Sequence, residues 1–569
     1  MYRYERFLPA LAATARSHYP RQVLDSSRRD HGAYIAEIYG CPAADHPSNA
    51  GMLACACAAF MAEGSELEGD DELFDRIMDS IAFQRRWQRP SGLVDLIQID
   101  WDDPATTGFT VNQLAPMVVC ARRLSDGPDG PRCRRIAKEL GEYVRTAATG
   151  MIGGGFHTPN HRWVVCSAMA HGMALYPEID GLDYVDSILA ETIDMNADGE
   201  YSERSVGWYD AVCHSSLRTV ADQLGRSELL DYVRRGLDMT LALLHPDHTV
   251  VTSFSRRGDS GQSIVPQLLA ESFFDMAQRD GNGFYATAAD SLIADEFDPQ
   301  LSVAFLTPYL MKPEYRTSST PREPLPESIN VVFPESRIWR LREGPLSVTA
   351  AAGSNNPLAV RYGDADLTAV RVCGSYYNSG QFNSDEFEPI SNDSGEVSGV
   401  RLFHDGELRR LRCNDLPLGR PVPWGVEAFN AANKEREHVF LPRIDMWLDI
   451  DKVESGFDVR ARTECEMDRI TFQIEFCFRG PGEWETDGQV IQVADGQTAI
   501  LKQGYGTFHT GNYGFRIGPG AAAHRMWGMR AAQAGPGFRV LMTFEAPVNH
   551  RLEIRYGAWS AATNELLPV

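Results

Sequence analysis

From about residue 5 to about residue 310, apolar positions recur at the three-to-four-residue spacing of helices. SNAGMLACACAAFMAEG, DELFDRIMDSIAFQRRWQ, VNQLAPMVVCARRL and RRIAKELGEYVRTAATGM read as buried or amphipathic helices. LDYVDSILAETIDM, SELLDYVRRGLDMTLALL and IVPQLLAESFFDMAQ continue the series, between loops rich in Gly, Pro and Asp. Roughly ten to twelve helices in sequential hairpins predict an α/α toroid or a solenoid. No short period repeats, so no named helical repeat applies. Residues 313–330, KPEYRTSSTPREPLPESI, read as a linker or surface strap. Beyond them the period changes to two. SRIWRLREGPLSVTAAAG, LTAVRVCG, MWLDIDKVESGFDVRARTE, ITFQIEFCFRG and FRVLMTFEA are strands bounded by Gly, Asp and Pro, as in a large antiparallel sandwich. The expected organisation is a helical domain over 1–312, a linker over 313–330 and an antiparallel β-sandwich over 331–569.

Composition narrows the function. Of 569 residues 43% are hydrophobic, enough for sizeable cores, so disorder is not expected. A formal net charge of −24 argues against a nucleic-acid partner, which needs a basic face. The 11 cysteines form no CxxC pair, and several sit in apolar runs such as PMVVC and IEFCF. Buried free thiols in a reducing compartment are the expectation. No stretch approaches the ~20 apolar residues of a membrane span. The opening MYRYERFLPALAATARSHYP lacks the apolar core of a signal peptide. A cytoplasmic setting is expected, with a periplasmic or secreted one left for a chain trimmed of its leader.

The segment from Gly153 to His214 concentrates chemistry. In GGGFHTPNHRWVVCSAMAHG, Thr158 suits an N-cap and Pro159 the first helical position. Asn160, His161 and Arg162 then fall in the first turn, at the positive end of the helix dipole, where an anion is favoured. Alone, Asn160 and His161 would more simply tie down a loop. DMNADGEYSERSVGWYDAVCHSSLRTVADQL follows, with Glu203, Arg204, Ser205, Trp208, Tyr209 and His214 crowded where a plain helix would show an apolar stripe. Trp208 and Tyr209 alone would read as core aromatics.

Together the two segments suit proton abstraction next to a carboxylate. The carboxylate must be neutralised, a base must reach the C5 proton of a uronic acid, and an acid must protonate the departing oxygen. Tyrosine can serve as acid or base if cations lower its pKa, and Arg162, Arg204 and His161 are the candidates. Arg256 and Arg257 in SFSRRGDSG suit carboxylate or sulfate, or else form an internal pair with Asp259. Trp208 could stack on a sugar ring. His214, five residues past Tyr209, lies off its helical face and is placed behind the site, as is Glu203.

Asn–His in TPNHRWV followed by Tyr in SERSVGWYDAV resembles the active-site pattern of heparinase II/III-like and alginate-lyase-like polysaccharide lyases. The resemblance implies an incomplete α/α toroid followed by an antiparallel β-sandwich. It also implies β-elimination on a uronic-acid glycan, leaving a 4,5-unsaturated uronyl product. Asn160 and His161 then neutralise the carboxylate, and Tyr209 is the acid, with the role of base open to it as well. Many members take a second base from later in the chain, for which Tyr377 in CGSYYNSGQF and His404 in RLFHDGE are candidates. Arg162, Arg204, Trp208, Arg256 and Arg257 are candidate substrate contacts. An acidic polysaccharide or oligosaccharide is the implied partner. The sequence has no HExxH, HxH or complete calcium loop, so nothing in it calls for a metal, a structural one is left open, and the elimination needs no cofactor. Three other readings remain: a toroidal glycoside hydrolase using two of Asp194, Asp198, Glu200 and Glu203, a uronyl C5-epimerase, and a non-catalytic glycan-binding protein.

Overall fold

Helices that are apolar on every side must be enclosed, whereas helices with one apolar stripe can face water. That distinction sorts the helices α1 (Tyr4–Ser17), α2 (His46–Met61), α3 (Asp71–Trp87), α4 (Pro104–Arg123), α5 (Gly130–Met151), α6 (Pro159–Leu175), α7 (Leu182–Leu189), α8 (Tyr209–Leu224), α9 (Leu229–Leu243), α10 (Leu269–Asp280), α11 (Gly283–Ser291) and α12 (Ser302–Met311) in the computed structural model. Residues 39, 98, 295, 377–378, 407–411, 441, 527–536 and 568–569 apart, the structure describes the whole chain. The nearly all-apolar α2, α4 and α6 pack on one another in sequence order, α6 packs on α8, and α8 on α10. The striped α3, α5 and α9 lie against them. Asp45, Asp70 and Asp103 cap α2, α3 and α4 by accepting from Ser48 N, Leu73 N and Thr106 N. Inner and outer helices alternating along the chain are the α/α toroid.

The chain divides into two units. The first holds Met1–Leu244, His248–Asp259 and Ser263–Leu325; the second holds His245–Asp247, Ser260–Gln262 and Pro326–Val569. The second unit stacks a nine-stranded and a ten-stranded sheet. Alternate residues of facing strands, among them Val348, Leu402, Leu448, Phe476, Phe508, Val540 and Ile554, fill one core. The fold order is the expected one, toroid then antiparallel β-sandwich. One detail differs: Thr498–Ile500 runs parallel to Phe538–Ala546 at the edge of the nine-stranded sheet. A three-residue strand without its own period-two run carries no direction in its sequence.

Candidate active site

The N-terminus of α6 is built from Thr158, Pro159 and Asn160. Thr158 has the extended backbone of an N-cap, yet its side chain caps nothing. Its Oγ1 instead accepts from Asn160 Nδ2 at 3.3 Å. Asn160 is completely buried, and the same Nδ2 donates to Glu203 Oε2 at 2.6 Å. A carboxylate only accepts, so the amide nitrogen must face it. Both amide hydrogens are therefore engaged, and Asn160 Oδ1 is buried without a partner. The other Glu203 oxygen lies 3.2 Å from Arg257 Nη1, close enough for an ion pair but not aligned for a hydrogen bond.

Glu203 comes from the loop that leads into α8. Asn196 Oδ1 accepts from Asp198 N at 3.1 Å and Glu200 N at 3.0 Å, closing a turn in which Gly199 takes φ 102°. Arg204 sits at φ 53°, a left-handed conformation that costs a non-glycine residue about 1 kcal/mol. It is held there by Glu200 Oε1 at 2.7 Å and by the Phe254 ring, 4.8 Å from its guanidinium. Tyr209, the first residue of α8, is half-buried under the Arg257 guanidinium, which lies 4.5 Å from its ring centre. A hydrogen bond to Tyr209, ahead of the charges of Glu203 and Asp259, holds Arg257 above its ordinary pKa.

Asp259 joins the two loops. It is fully buried and accepts from Ser205 Oγ at 2.9 Å, from Gly207 N at 3.1 Å and from Ser255 Oγ. Its partners are hydroxyls and an amide, not the arginines beside it in the sequence. Asp210, second in α8, is buried with Oδ1 unpartnered, and burial followed by the charges of Glu200, Asp259 and Glu203 pushes its pKa far up.

Asn160, Glu203, Tyr209 and Arg257 are thus brought together. His161 is next to them but not as a cation: burial first, then His157 and Arg257, bring its pKa down to about 4. Its ring meets those of His157 and Phe109 edge-on, at 5.1 and 5.7 Å. Arg257 takes the cationic place beside Tyr209 that the sequence offers to Arg162, Arg204 and His161. Arg162 turns away to Asp194 at 3.2 Å and Glu191 at 3.3 Å, and Arg204 is buried on Glu200. Arg256 is exposed, with its backbone N–H donating to Glu203 O at 3.4 Å. Trp208 is 43% exposed and lies against Gly258. His214 is fully buried inside α8 with Nδ1 3.2 Å from Tyr201 Oη, and burial brings its pKa down to about 3. Tyr377 lies outside the described residues. His404 belongs to the second unit, where it is buried on the strand Val397–His404 with Nδ1 3.2 Å from Asn383 O.

The sequence does not single out Asp210 or His157, offers Asp259 only the neighbouring arginines as partners, and gives Ser205 no role in joining the loops. A short polar residue inside SERSVG or RRGDSG gives no periodic signal; only the contact between the loops marks it. Among the described residues, Asp100, Asp103 and His157 could hold a cation, with ligand atoms within 4.8 Å of one another. Asp103 already accepts from Ala105 N and Thr106 N as the cap of α4. The carboxylates of a hydrolase reading are also occupied. Asp194 holds Trp163 Nε1 at 2.8 Å and Arg162, Glu200 holds Arg204, and Glu203 holds Asn160.

No protein-family model matches this sequence, and no curated protein matches it. Solved structures do. The chondroitin AC lyase of Streptomyces coelicolor A3, in complex with chondroitin sulphate, is similar over 99% of this chain and 80% of its own, with TM-score 0.51 and 13% identity. Heparinase III is similar over 96% of this chain and 85% of its own, with TM-score 0.52 and 12% identity. A Paenibacillus xanthan lyase is similar over 98% of this chain and 57% of its own, with TM-score 0.52 and 10% identity. Along nearly its whole length, the chain has the fold of these polysaccharide lyases.

Proposed function

We propose that the protein is a polysaccharide lyase that cleaves a uronic-acid-containing glycan by β-elimination. The observation that carries this reading is Tyr209 under the Arg257 guanidinium, which Glu203 links to Asn160 at the N-terminus of α6. The shared fold of chondroitin AC lyase, heparinase III and xanthan lyase supports it. Tyr209, as a phenolate beside the Arg257 guanidinium, takes the C5 proton, and its loss puts negative charge onto the uronate carboxylate. Asn160 and Arg257 are the donors that stabilise this charge, aided by the α6 dipole. His161, neutral at pH 7, adds a neutral ring and no charge. The C4–O bond then breaks, its electrons passing to the oxygen as C4 and C5 become doubly bonded. Tyr209 gives its hydroxyl proton to the departing oxygen. Arg257 steadies the phenolate left behind, which can take the next C5 proton and so serve as base as well. Side chains alone suffice for these steps.

A panel of uronic-acid polysaccharides and oligosaccharides, followed by the near-ultraviolet absorbance of the unsaturated product, tests this proposal. Tyr209→Phe should remove product formation while the protein still folds. Full activity in that variant overturns the role of Tyr209. Asn160→Ala should lower kcat more than it raises KM, because its hydrogen bond strengthens as charge develops. Exchange of solvent deuterium into an intact polymer, without absorbing product, would turn the assignment to a C5-epimerase.

A further inference from the structure

Arginines are spent unevenly in this acidic protein. Most described arginines face a carboxylate, but a cleft of about 870 Å³ in the first unit gathers Arg28, Arg29, Arg86 and Arg89 around Trp87, with Asp95 as its one acidic wall. That volume lies within the ~300–1,000 Å³ of small-ligand sites. Arg28 is paired with Asp30 at 2.7 Å, and Arg89 with Asp95 at 2.6 Å. Arg29 and Arg86 have no carboxylate within ion-pair distance among the described residues. Arg86 donates to the His31 carbonyl at 2.6 Å, and Trp87 Nε1 to the Arg29 carbonyl at 3.1 Å. These bonds fasten the loop carrying Arg28 and Arg29 to the C-terminal end of α3. The Arg29 guanidinium lies 5.8 Å from the Trp87 ring, which is 39% exposed.

A net charge of −24 makes unneutralised arginines beside an open indole ring a poor choice for solvation alone. Arginine in this setting suits a planar anion, carboxylate or sulfate, and an exposed indole suits the apolar face of a sugar ring. A chain of contacts runs from the cleft toward the candidate active site. Asp95 accepts from Asp102 N at 2.8 Å, and the next residue, Asp103, brings its carboxylate to His157, whose ring meets His161.

We propose that this cleft is a second saccharide-binding site, taking a carboxylated or sulfated sugar whose ring lies on Trp87 and whose anion is held by Arg29 and Arg86. The choice of a saccharide rests on the lyase reading; the choice of an anion rests on the arginines alone. A polymer held both here and at Tyr209 would be gripped away from the bond it loses.

Calorimetric titration of the full chain, in a Tyr209→Phe background that prevents turnover, is the test. The probes are polygalacturonate, chondroitin sulfate and heparin oligosaccharides, with inorganic sulfate as the free-anion control. Arg29→Gln with Arg86→Gln should weaken binding of an oligosaccharide at least tenfold, and Trp87→Ala should weaken it while Trp87→Phe largely restores it. Unchanged affinity in both variants, with unchanged thermal melting, overturns the site. So does sulfate binding as tightly as any oligosaccharide, or a parent protein that binds none of the probes. If either variant melts early, Arg29→Gln alone, on the exposed loop, decides by the same criterion. Failure of the lyase reading looks different: the wild type yields no unsaturated product from any polymer, whatever the cleft binds.

Discussion

At the scale of single residues, Glu203 decides how open the site is. Its carboxylate takes an amide hydrogen of Asn160 and faces Arg257, the two groups to which we assign the substrate carboxylate. In this geometry a protein carboxylate already holds the place of the substrate's. The pair is strained for hydrogen bonds, since Asn160 Oδ1 and Glu203 Oε1 are both buried without one. Both atoms are acceptors, and leaving them unpaired costs about 1–3 kcal/mol each, which favours a ligand whose sugar hydroxyls donate to them. Glu203→Gln removes the competing charge while keeping the shape. It should lower KM for a uronate polymer and tighten inhibition by free glucuronate, by roughly tenfold for ~1.4 kcal/mol of competition. Steady-state kinetics with glucuronate as inhibitor decides; a variant with raised KM and weaker inhibition would make Glu203 a structural brace.

Among elements, the toroid depends on helices that approach closely. A Cβ added at Gly172 of α6 would lie 2.3 Å from the Ala148 Cβ of α5, so the helices must part to accept any side chain. Gly172→Val should cost about 1–3 kcal/mol, read as a lower urea midpoint for loss of helical circular dichroism. Helix α8 carries a pH dependence of its own. The folded His214 pKa, about 3, lies below its unfolded value near 6.5. Between those values the unfolded chain takes up a proton that the folded chain refuses, so stability falls as pH drops from about 6.5, by at most ~1.4 kcal/mol per unit, and levels off below about 3. His214→Gln should flatten part of the fall in melting temperature between pH 7 and 5; equal slopes for the two proteins would refute it. Helices and strands of this kind were legible in the sequence because burial imposes a period, 3.6 or 2. The start of α6 was legible too, through Thr158 and Pro159. The loops were not, because what fixes them is pairing between distant segments. Asp259 with Ser205, and Arg257 on Tyr209, join residues about fifty apart with no local pattern. Burial that keeps His161 neutral is equally invisible in a string of letters.

At the scale of the whole molecule, the proposed substrate and the protein carry the same sign. A net charge of −24 repels a polyanion at long range, whereas Arg257, Arg29 and Arg86 attract it only on close approach. Salt acts on these two ranges unequally. The screening length is about 30 Å at 0.01 M ionic strength and about 10 Å at 0.1 M. Raising salt over that interval removes the repulsion of the distant acidic surface first and leaves contact ion pairs largely in place. With a uronate polymer, kcat/KM should therefore climb between 0.01 and 0.1 M, then fall as the arginine contacts are screened in turn. A neutral oligosaccharide offered to the same protein should show no such maximum. The profile is measured by initial rates at constant pH and varied sodium chloride. A steady decline from the lowest salt would mean that local arginine fields outweigh the acidic surface even at a distance. Encounter would then be steered by the arginines, and the overall charge would be irrelevant to catalysis.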